Sequence, residues 1–274
     1  MISKKIVIFT PTYNRKHTLE RCYQSIIQQD YPGVVWLVID DGSTDNTEQL
    51  VTEFIKEGKL EIQYIYQTNG GKQSAWNKAV QLCQKYDLFI CVDSDDILYE
   101  NALTKVSKYF SLVDEDDVIG LRCLAIRNTT KKADSKFMNN KIHKDYWFME
   151  IMSNQIGERV DIFKPQKLLD YLFPVNDCIK FIPESWMYAN ISKKYKFVYV
   201  PEPVTLFYDD HDHLRLSKSS LKTNAKGQNI ARKAVLKNVP VKVWFKNPIS
   251  ALKNSARYFQ TLYYLAVEKY ENKH

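Results

Sequence analysis

The sequence has no apolar run of about 18 residues, and none of its cysteines are spaced as C-x-x-C. The first absence predicts that no helix spans a membrane. The five cysteines are scattered and odd in number, which favours reduced core cysteines over a disulfide framework or a zinc site. Only four apolar residues follow the two lysines near the N-terminus, too few for a signal peptide. We therefore expect a cytoplasmic protein.

A strong excess of one charge is also absent, as are internal repeats and low-complexity tracts. The formal net charge is +7, from 39 lysines and arginines against 32 acidic residues. No nucleic-acid recognition motif accompanies this small excess, so we do not expect nucleic acid as a partner. The length of 274 residues and the hydrophobic share of 45% suffice for one large core.

Strands and helices alternate in the first 110 residues. Apolar runs predict strands at residues 6–9, 34–39, 60–66 and 88–92. Helical periodicity predicts helices at residues 18–29, 46–57 and 73–85. Thr18 is the expected N-cap of the first helix. This order is typical of an α/β fold whose mostly parallel sheet carries helices on both faces.

A polar motif follows each predicted strand. The motifs read TPTYNR, DDGSTD, TNGGK and DSDD, and the first strand is expected to pass into a loop at Thr10 and Pro11. Ligands of such sheets bind beyond the carboxyl ends of the strands. The four motifs therefore predict one ligand site on one edge of the sheet.

The pattern after residue 118 is less regular. Strands are predicted at residues 118–127, 159–163 and 197–200, short helices at 145–152 and 166–172, and a polar basic loop at 131–144. The tail at 240–270 holds two amphipathic segments rich in aromatic and basic residues. Such a tail can lie on an anionic membrane surface, which we favour, or pack on the domain or in a dimer.

Three carboxylates fall within four positions after the fourth strand: Asp93, Asp95 and Asp96. Like charges this close raise one another's pKa unless a cation neutralises them. Mg²⁺ and Mn²⁺ prefer oxygen ligands and often share them with substrate phosphates. The motif therefore suits a metal–diphosphate site, but it equally suits the acidic start of a helix. On these residues alone both interpretations stay open.

Two further motifs are weaker signals. Asp40 and Asp41 suit hydrogen bonds from a ribose or a base, although DDGS is also an ordinary turn. Gly70 and Gly71 precede a helix N-terminus, where an anion could approach the backbone and Lys72 could add a charge. The loop is not a P-loop, because G-x-x-x-x-G-K is absent.

The combination of the four motifs is specific for one fold. TPTYNR, DDGSTD, NGGKxxAxN and DSDD, in this order on alternating strands and helices, resemble the nucleotide-diphospho-sugar glycosyltransferases of the GT-A fold, in particular the inverting enzymes of family 2. The resemblance is strong over about residues 4–110 and extends loosely to about residue 217. It implies a Rossmann-like mixed sheet with helices on both faces and a C-terminal helical appendage.

That resemblance also implies a division of the chain. The GT-A domain would cover residues 1–217, with a nucleotide-sugar-binding half (1–110), an acceptor half (111–217), and then a basic lid and an amphipathic helical tail (218–274).

The resemblance assigns the donor site to residues of all four motifs. The sugar nucleotide would be held by Pro11, Thr12, Tyr13, Arg15, Asp40, Asp41, Asn69, Gly71, Lys72, Asn77, Asp93 and Ser94. Asp95 would bind Mn²⁺ or Mg²⁺. One position departs from the pattern: Trp76 stands where the family often has arginine, so Lys72 would have to supply that charge.

Inverting transfer needs a base for the acceptor hydroxyl, and a carboxylate suits this role. The leaving UDP needs charge stabilisation from a metal and from cations. The family usually places the base at a helix start after a short strand, often as Glu-Asp. Here Glu184 is followed by Ser185, so we expect Glu184 to be the base. The alternative is an ordinary helix N-terminal glutamate after Pro183.

Two further elements resemble family features. Glu158 and Arg159 would lie near the acceptor, unless they form only a turn with a surface ion pair. His211 and His213 lie where many relatives carry a histidine that completes the metal or diphosphate site. The residues alone leave open which of the two histidines binds metal, or whether both belong to a solvated loop.

The resemblance implies a metal-dependent inverting glycosyltransferase. It would move a hexosyl or N-acetylhexosaminyl group from a UDP-sugar to a glycan or lipid-linked acceptor in bacterial-type surface polysaccharide synthesis, in the cytoplasm or on the inner face of the membrane through residues 240–270. A nucleotidyltransferase is disfavoured because TPTYNRKH contains no glycine. A sugar-nucleotide-binding module without catalysis stays open because of Trp76 and Ser185.

Overall fold

Strands and helices alternate along the chain as the sequence predicts. The computed structural model describes residues 3–137, 141–153, 157–209 and 220–271. The strands are β1 (Ile6–Thr12), β2 (Val34–Asp40), β3 (Glu61–Tyr66), β4 (Leu88–Cys91), β5 (Ile97–Leu98), β6 (Val118–Arg127), β7 (His143–Asp145), β8 (Arg159–Phe163) and β9 (Lys196–Phe207). The helices are α1 (Lys16–Ile27), α2 (Thr47–Glu57), α3 (Lys72–Leu82), α4 (Ala102–Ser107), α5 (Phe148–Ser153), α6 (Ser185–Ile191), α7 (Ala225–Asn238), α8 (Val241–Lys246) and α9 (Pro248–Glu271).

All nine strands of the described residues join one sheet in the order β3-β2-β1-β4-β8-β6-β9-β5, with β7 paired to β9. The first four strands are parallel to one another, whereas β8 runs antiparallel to both β4 and β6. Strands β1, β2 and β4 are buried on both faces, which explains why they read as continuous apolar runs, whereas the edge strand β3 is only partly buried. The predicted α/β architecture with a mixed sheet is confirmed.

The two faces of the sheet carry separate hydrophobic cores. Side chains alternate along β1, so that Val7 and Phe9 enter one core while Ile6 and Ile8 enter the other. Residues of α1, α2 and α4 cover the core of Ile6, and residues of α3, α6 and α7 cover that of Val7. The loops at the carboxyl ends of the parallel strands are left at one edge.

Two boundaries in the first motif differ from the prediction. β1 continues through Pro11 to Thr12 instead of ending in a loop. Proline is tolerated there because β4 pairs only as far as Phe9, so no partner strand requires the missing N–H on that side. Helix α1 begins at Lys16, whose N–H donates to Asp45 Oδ2 at 3.0 Å. Thr18 is therefore inside the helix, and its prediction as N-cap was wrong.

Other differences lie in the second half. The end of the predicted loop forms β7, and the His143 ring stacks on Tyr199 of β9 at 4.7 Å. The predicted strand at 197–200 extends to Phe207 because it pairs along β6 and β5. Two short 3₁₀ turns replace the helix expected at 166–172. Long-range pairing decides these segments, which carry weak local signals.

The C-terminal helices pack against the main body of the chain. Ala231 and Val235 of α7 are buried in the same core as Met187 of α6. Helix α9 lies on α7, with Asn229 Nδ2 donating to Thr261 Oγ1 at 2.9 Å. Within the described ranges, no helix combines the length and the apolarity needed to cross a membrane. The division of the chain at residue 217 stays a prediction.

Candidate functional site

The carboxylate cluster lies in a turn just beyond β4. The N–H of Asp96 donates to the carbonyl of Asp93 at 2.9 Å, which closes the turn. Carboxylate oxygens of Asp93, Asp95 and Asp96 all lie within 4.8 Å of one another. Three converging oxygen donors are the ligand type that Mg²⁺ and Mn²⁺ prefer, so the residues present fit the predicted metal.

The pKa of Asp96 reflects the crowding of negative charge in this cluster. Burial and the charges of Asp93 and Asp95 raise the pKa of Asp96 well above its ordinary value. One of its oxygens accepts the N–H of Tyr208 at 3.1 Å. A divalent cation among these oxygens would favour their charged forms and offset the mutual repulsion.

Two basic side chains from other motifs reach the cluster. Lys72 Nζ lies 2.7 Å from Asp93 Oδ2 and 3.7 Å from Glu184 Oε1. Arg15 Nη1 lies 3.7 Å from Asp95 Oδ2. Burial alone would lower the pKa of Lys72, but the charges of Asp93 and Glu184 outweigh it and raise that pKa well above its ordinary value. The structure thus brings five of the predicted site residues together, although their roles stay predictions.

The glycine loop is held by an aspartate. The two carboxylate oxygens of buried Asp41 accept the N–H groups of Gly70 and Gly71, each at 2.8 Å. The carbonyl of Asp41 accepts the Asn69 side-chain amide at 3.0 Å. These loop N–H groups are therefore already paired with a carboxylate, rather than directed at an approaching anion. The role of Asp41 at a base or ribose stays a prediction.

Other predicted donor residues lie nearby with partners of their own. Asp40 is buried and accepts the N–H of Ser43 and the hydroxyl of Tyr64, both at 2.7 Å. Pro11 and Thr12 are buried at the end of β1, Ser94 is buried in the aspartate turn, and the Tyr13 residue is 49% exposed. Tyr13 therefore offers the most accessible ring surface of this set.

Two residues of α3 face the core instead of the cluster. The side-chain amide of Asn77 pairs with both backbone groups of Phe173, each at 2.8 Å. Trp76 is buried and packs edge-on against the rings of Phe9, Phe89 and Phe163. Trp76, which stands where the family often has arginine, therefore fills the hydrophobic core. Lys72 is the cation of this loop that reaches the carboxylates.

A cavity of about 200 Å³ has Glu184 in its lining. It is lined by Arg122, Trp147, Glu150, Ile151, Gly157, Glu158, Arg159, Glu184, Ser185 and Tyr188. Burial, together with the charges of Glu184 and Asp93, raises the pKa of Glu158. The predicted acceptor residues Glu158 and Arg159 and the predicted base thus line one cavity. His211 and His213 lie outside the described residues.

Sequence reasoning missed the ion network beneath this cavity. Arg122 of β6 lies 2.6 Å from both Glu150 Oε1 and Asp161 Oδ2, and all three residues are buried. Tyr188 and Tyr199 donate hydroxyl hydrogen bonds to Asp161 and Glu150 at 2.8 and 3.0 Å. The available signal was a charged residue inside each of the apolar strands GLRCLAIR and RVDIF, since charges are rarely buried unpaired.

A second missed contact supports the aspartate turn. The guanidinium of Arg21 on α1 lies 3.4 Å from the centroid of the Tyr208 ring. Its Nη2 donates to the backbone carbonyl of Asp95 at 2.5 Å. Tyr208 in turn donates its N–H to Asp96. Because these contacts come from α1 and from the end of β9, no local sequence pattern predicts them.

Comparison with known proteins identifies the family. A model of the family described as Glycosyl transferase family 2 matches residues 7–168, more than half of the chain. The chain belongs to glycosyltransferase family 2. The predicted motifs at the four strand ends all lie within the matched residues of this family 2 chain.

Curated relatives match only a part of their own length. Glycosyltransferase GlyG of Streptococcus pneumoniae is 32% identical over 120 residues, which are 43% of this chain and 39% of GlyG. Poly-β-1,6-N-acetyl-D-glucosamine synthase of Staphylococcus epidermidis is 29% identical over 90 residues, which are 33% of this chain and 21% of the synthase. This family 2 chain thus spans less than half the length of these relatives.

Solved structures show the fold. S. aureus TarS 1–349, in complex with UDP-GlcNAc, has a TM-score of 0.70 and 19% identity over 93% of this chain and 73% of its own. The mannosyltransferase PcManGT of Pyrobaculum calidifontis, in complex with GDP-Man and Mn²⁺, has a TM-score of 0.62 and 16% identity over 97% and 75%. This family 2 chain has the predicted GT-A fold.

Proposed function

We propose that this chain transfers a sugar from a UDP-sugar to a hydroxyl group of a glycan or lipid-linked acceptor, with inversion, in surface polysaccharide synthesis. The observation that supports this most is the position of Lys72. Its ammonium group contacts Asp93 of the aspartate turn and lies 3.7 Å from Glu184 at the cavity. A family 2 donor motif and a carboxylate suited to be the base therefore meet at one point.

In the proposed reaction the acceptor oxygen attacks the anomeric carbon as the bond to the diphosphate oxygen breaks. Glu184, whose side chain is 52% exposed, takes the hydroxyl proton. Asp95, with Asp93 and Asp96, would hold Mn²⁺ or Mg²⁺, which supplies charge neutralisation for the leaving diphosphate. Lys72 and Arg15 add positive charge beside these carboxylates.

The relatives support the choice of donors to test. One is named for an N-acetyl-D-glucosamine polymer, and TarS was solved with UDP-GlcNAc. PcManGT was solved with GDP-Man and Mn²⁺. UDP-GlcNAc, other UDP-hexoses and GDP-mannose therefore form the first panel, with each nucleotide alone as the reference.

Calorimetric titration of the protein tests the donor site. We expect UDP and a UDP-sugar to bind in the presence of Mn²⁺ and to bind at least tenfold more weakly with chelator. Asp95→Ala should abolish the metal-dependent part. Asp114→Ala is the matched control, because Asp114 is an exposed aspartate paired with Lys4. If the folded protein binds no nucleotide under either condition, the transferase proposal is wrong.

Glu184→Gln separates transfer from mere binding. The amide keeps the shape of the side chain but cannot accept the proton, so transfer should fall by at least 100-fold. Donor affinity should change by less than about threefold. A variant that transfers as fast as the wild type would exclude Glu184 as the base. Wild-type protein that binds donor tightly but transfers to none of the acceptors would favour the binding module.

We further propose that α8 and α9 contact an anionic membrane surface on the inner, cytoplasmic face. Seven large apolar residues here are each at least 64% exposed: Val241, Phe245, Ile249, Leu252, Phe259, Tyr263 and Tyr270. Those on α9 repeat at spacings of three, four or seven residues and so form one stripe. Polar contacts with α7, such as Thr261 with Asn229, lie on the opposite face of α9.

Charge favours a lipid surface over a second copy of the chain. Residues 241–267 contain four basic residues and no acidic residue: Lys242, Lys246, Lys253 and Arg257. A symmetric pair of such helices would bring like charges together, whereas anionic headgroups complement them. Apolar and aromatic side chains flanked by cations are typical of helices that lie in the membrane interface.

Vesicle co-sedimentation tests the contact. We expect binding to vesicles containing phosphatidylglycerol, little binding to phosphatidylcholine alone, and loss of binding in the double variant Leu252→Glu, Phe259→Glu. Thr52→Glu, at an exposed position of α2, is the control for added charge. A wild-type dimer in analytical ultracentrifugation that the double variant dissociates, without vesicle binding, would contradict the proposal and assign the stripe to self-association.

A further inference from the structure

Residues 180–182 run between the glycine loop and helix α7, and a glycine lies on each side. At Gly71 an added Cβ would lie 2.3 Å from the carbonyl oxygen of Lys180. At Gly227, in the first turn of α7, an added Cβ would lie 1.8 Å from the carbonyl oxygen of Phe181. We call residues 180–182 the clamped segment, since any larger residue at either glycine would have to displace it.

The reason for glycine differs between the two positions. Gly71 has φ of +89°, a conformation that other residues rarely adopt. Gly227 has helical neighbours and needs no unusual backbone angle. Glycine in a helix costs about 1 kcal/mol relative to alanine, so local propensity disfavours it here. The close approach of α7 to the Phe181 carbonyl is what requires it.

The clamped segment joins the two halves of the candidate site. On the loop side, Lys180 Nζ lies 3.1 Å from the carbonyl oxygen of Asn69 and 3.3 Å from its side-chain oxygen. Ile182 is fully buried, and the chain then passes to Glu184 at the start of α6. Gly71 directly precedes Lys72, which lies between Asp93 and Glu184. The separation between Lys72 and Glu184 therefore depends on this packing.

We propose that Gly227 is a positioning residue: by allowing α7 to pack against the Phe181 carbonyl, it sets the place of Glu184 relative to Lys72. This rests on the proposed function for the catalytic part only. Helix α7 lies beyond residues 7–168, to which the family model is matched. The inference therefore extends the catalytic unit into the C-terminal helices of this chain.

Gly227→Ala tests the inference because two effects oppose each other. Helix propensity alone predicts a more stable protein, whereas the contact predicts a displaced clamped segment. We expect kcat for transfer to fall about tenfold, with the donor KM changed by less than about twofold. Hydrogen exchange should become faster in the peptide covering 180–186 and remain unchanged in β1 and β2. Gly58→Ala is the control for a strained glycine substitution that displaces no neighbour: its φ of +65° disfavours alanine, but nothing lies within 4 Å of the added Cβ, so kcat and exchange at 180–186 should not change.

A second variant loosens the other side of the segment without adding volume. Lys180→Ala removes the two exposed contacts with Asn69, and kcat should fall about threefold with the same local change in exchange. If Gly227→Ala matches the wild type in kcat and in exchange, Gly227 has no positioning role. Faster exchange throughout the protein would likewise overturn the proposal, because it would indicate general destabilisation. If the wild type binds no nucleotide, the proposed function fails, while the exchange experiment still tests the clamp.

Discussion

Two clusters of acidic residues in this protein differ in how their negative charge is balanced by neighbouring groups. At the cavity lined by Glu184, Glu150 and Asp161 are buried and each contacts the Arg122 guanidinium at 2.6 Å. Beyond β4, Asp93, Asp95 and Asp96 converge within 4.8 Å. Of the basic side chains described around them, Lys72 makes a close contact and Arg15 stays 3.7 Å away.

The difference separates a structural network from a candidate ligand site. The network under the cavity is saturated, because hydroxyl groups of Tyr188 and Tyr199 also donate to its carboxylates. Its charges are satisfied within the protein and need no ligand. Burial raises the pKa of both Asp161 and Asp96; Arg122 and Tyr188 oppose it at Asp161, whereas the charges of Asp93 and Asp95 add to it at Asp96. A divalent cation would offset that added repulsion.

The largest effect is expected from Arg122→Ala. The substitution removes the cation that contacts buried Asp161 and leaves Glu150 with Arg159 at 3.4 Å. Breaking a buried ion pair typically costs about 3–5 kcal/mol of unfolding free energy. Denaturant unfolding followed by circular dichroism measures it. Lys196→Ala, which removes a partly exposed ion pair with Asp117, should cost less than about 1 kcal/mol. Equal losses in the two variants would mean that the buried network carries no special weight.

At the aspartate turn we expect a smaller change, and it is a gain in unfolding free energy when metal binds. Mn²⁺ at about 100 times its Kd should stabilise the wild type by about 2.7 kcal/mol. Asp95→Ala should lose this gain and yet be no less stable than the wild type in chelator, because one repelling charge is removed. Thermal unfolding with Mn²⁺ and with chelator measures both. Arg122→Ala, once folded at low temperature, should still respond to Mn²⁺. A wild type that gains nothing from Mn²⁺ or Mg²⁺ would argue against the metal site.

The smallest effect is expected at an exposed ion cluster, in which Asp117 contacts Lys144 and Lys196. Contacts with Lys196 and Lys144 lower the pKa of Asp117. A lowered folded-state pKa means that this stabilisation is present above the ordinary aspartate value near 4 and is lost as pH falls through the lowered one. The thermal unfolding midpoint of Asp117→Asn should therefore be slightly lower than that of the wild type at pH 7 and equal to it near pH 2. A difference that persists at pH 2 or resists added salt would show another cause.

Local pattern predicted much of the fold for a clear reason. The strands β6 and β8 occur at the predicted residues, because each is a continuous run of largely apolar residues bounded by polar ones. Predictions that used short-range capping rules were less successful. Thr18 was wrong as an N-cap, since Asp45 from a distant loop receives the first helical N–H. Strand β7 escaped prediction because its pairing with β9 determines it.

The candidate site divides in the same way. The family resemblance of the four motifs named the expected donor residues, and their position after parallel strands predicted that they gather at one edge of the sheet. The partners of these residues could not be named. Asp41 holding the glycine loop, Trp76 filling the core and Arg122 pairing beneath the cavity all depend on contacts between segments far apart in the chain.

By itself, the sequence determined the α/β order of elements, the GT-A resemblance and the edge of the sheet at which the polar motifs gather. These follow from short-range periodicity and from the geometry of parallel strands. Only the tertiary structure decided that Lys72 joins the aspartate turn to Glu184, and that Gly227 admits α7 against the clamped segment. The physical reason is that such contacts depend on the distances between packed elements, and periodicity along the chain carries no information about those distances.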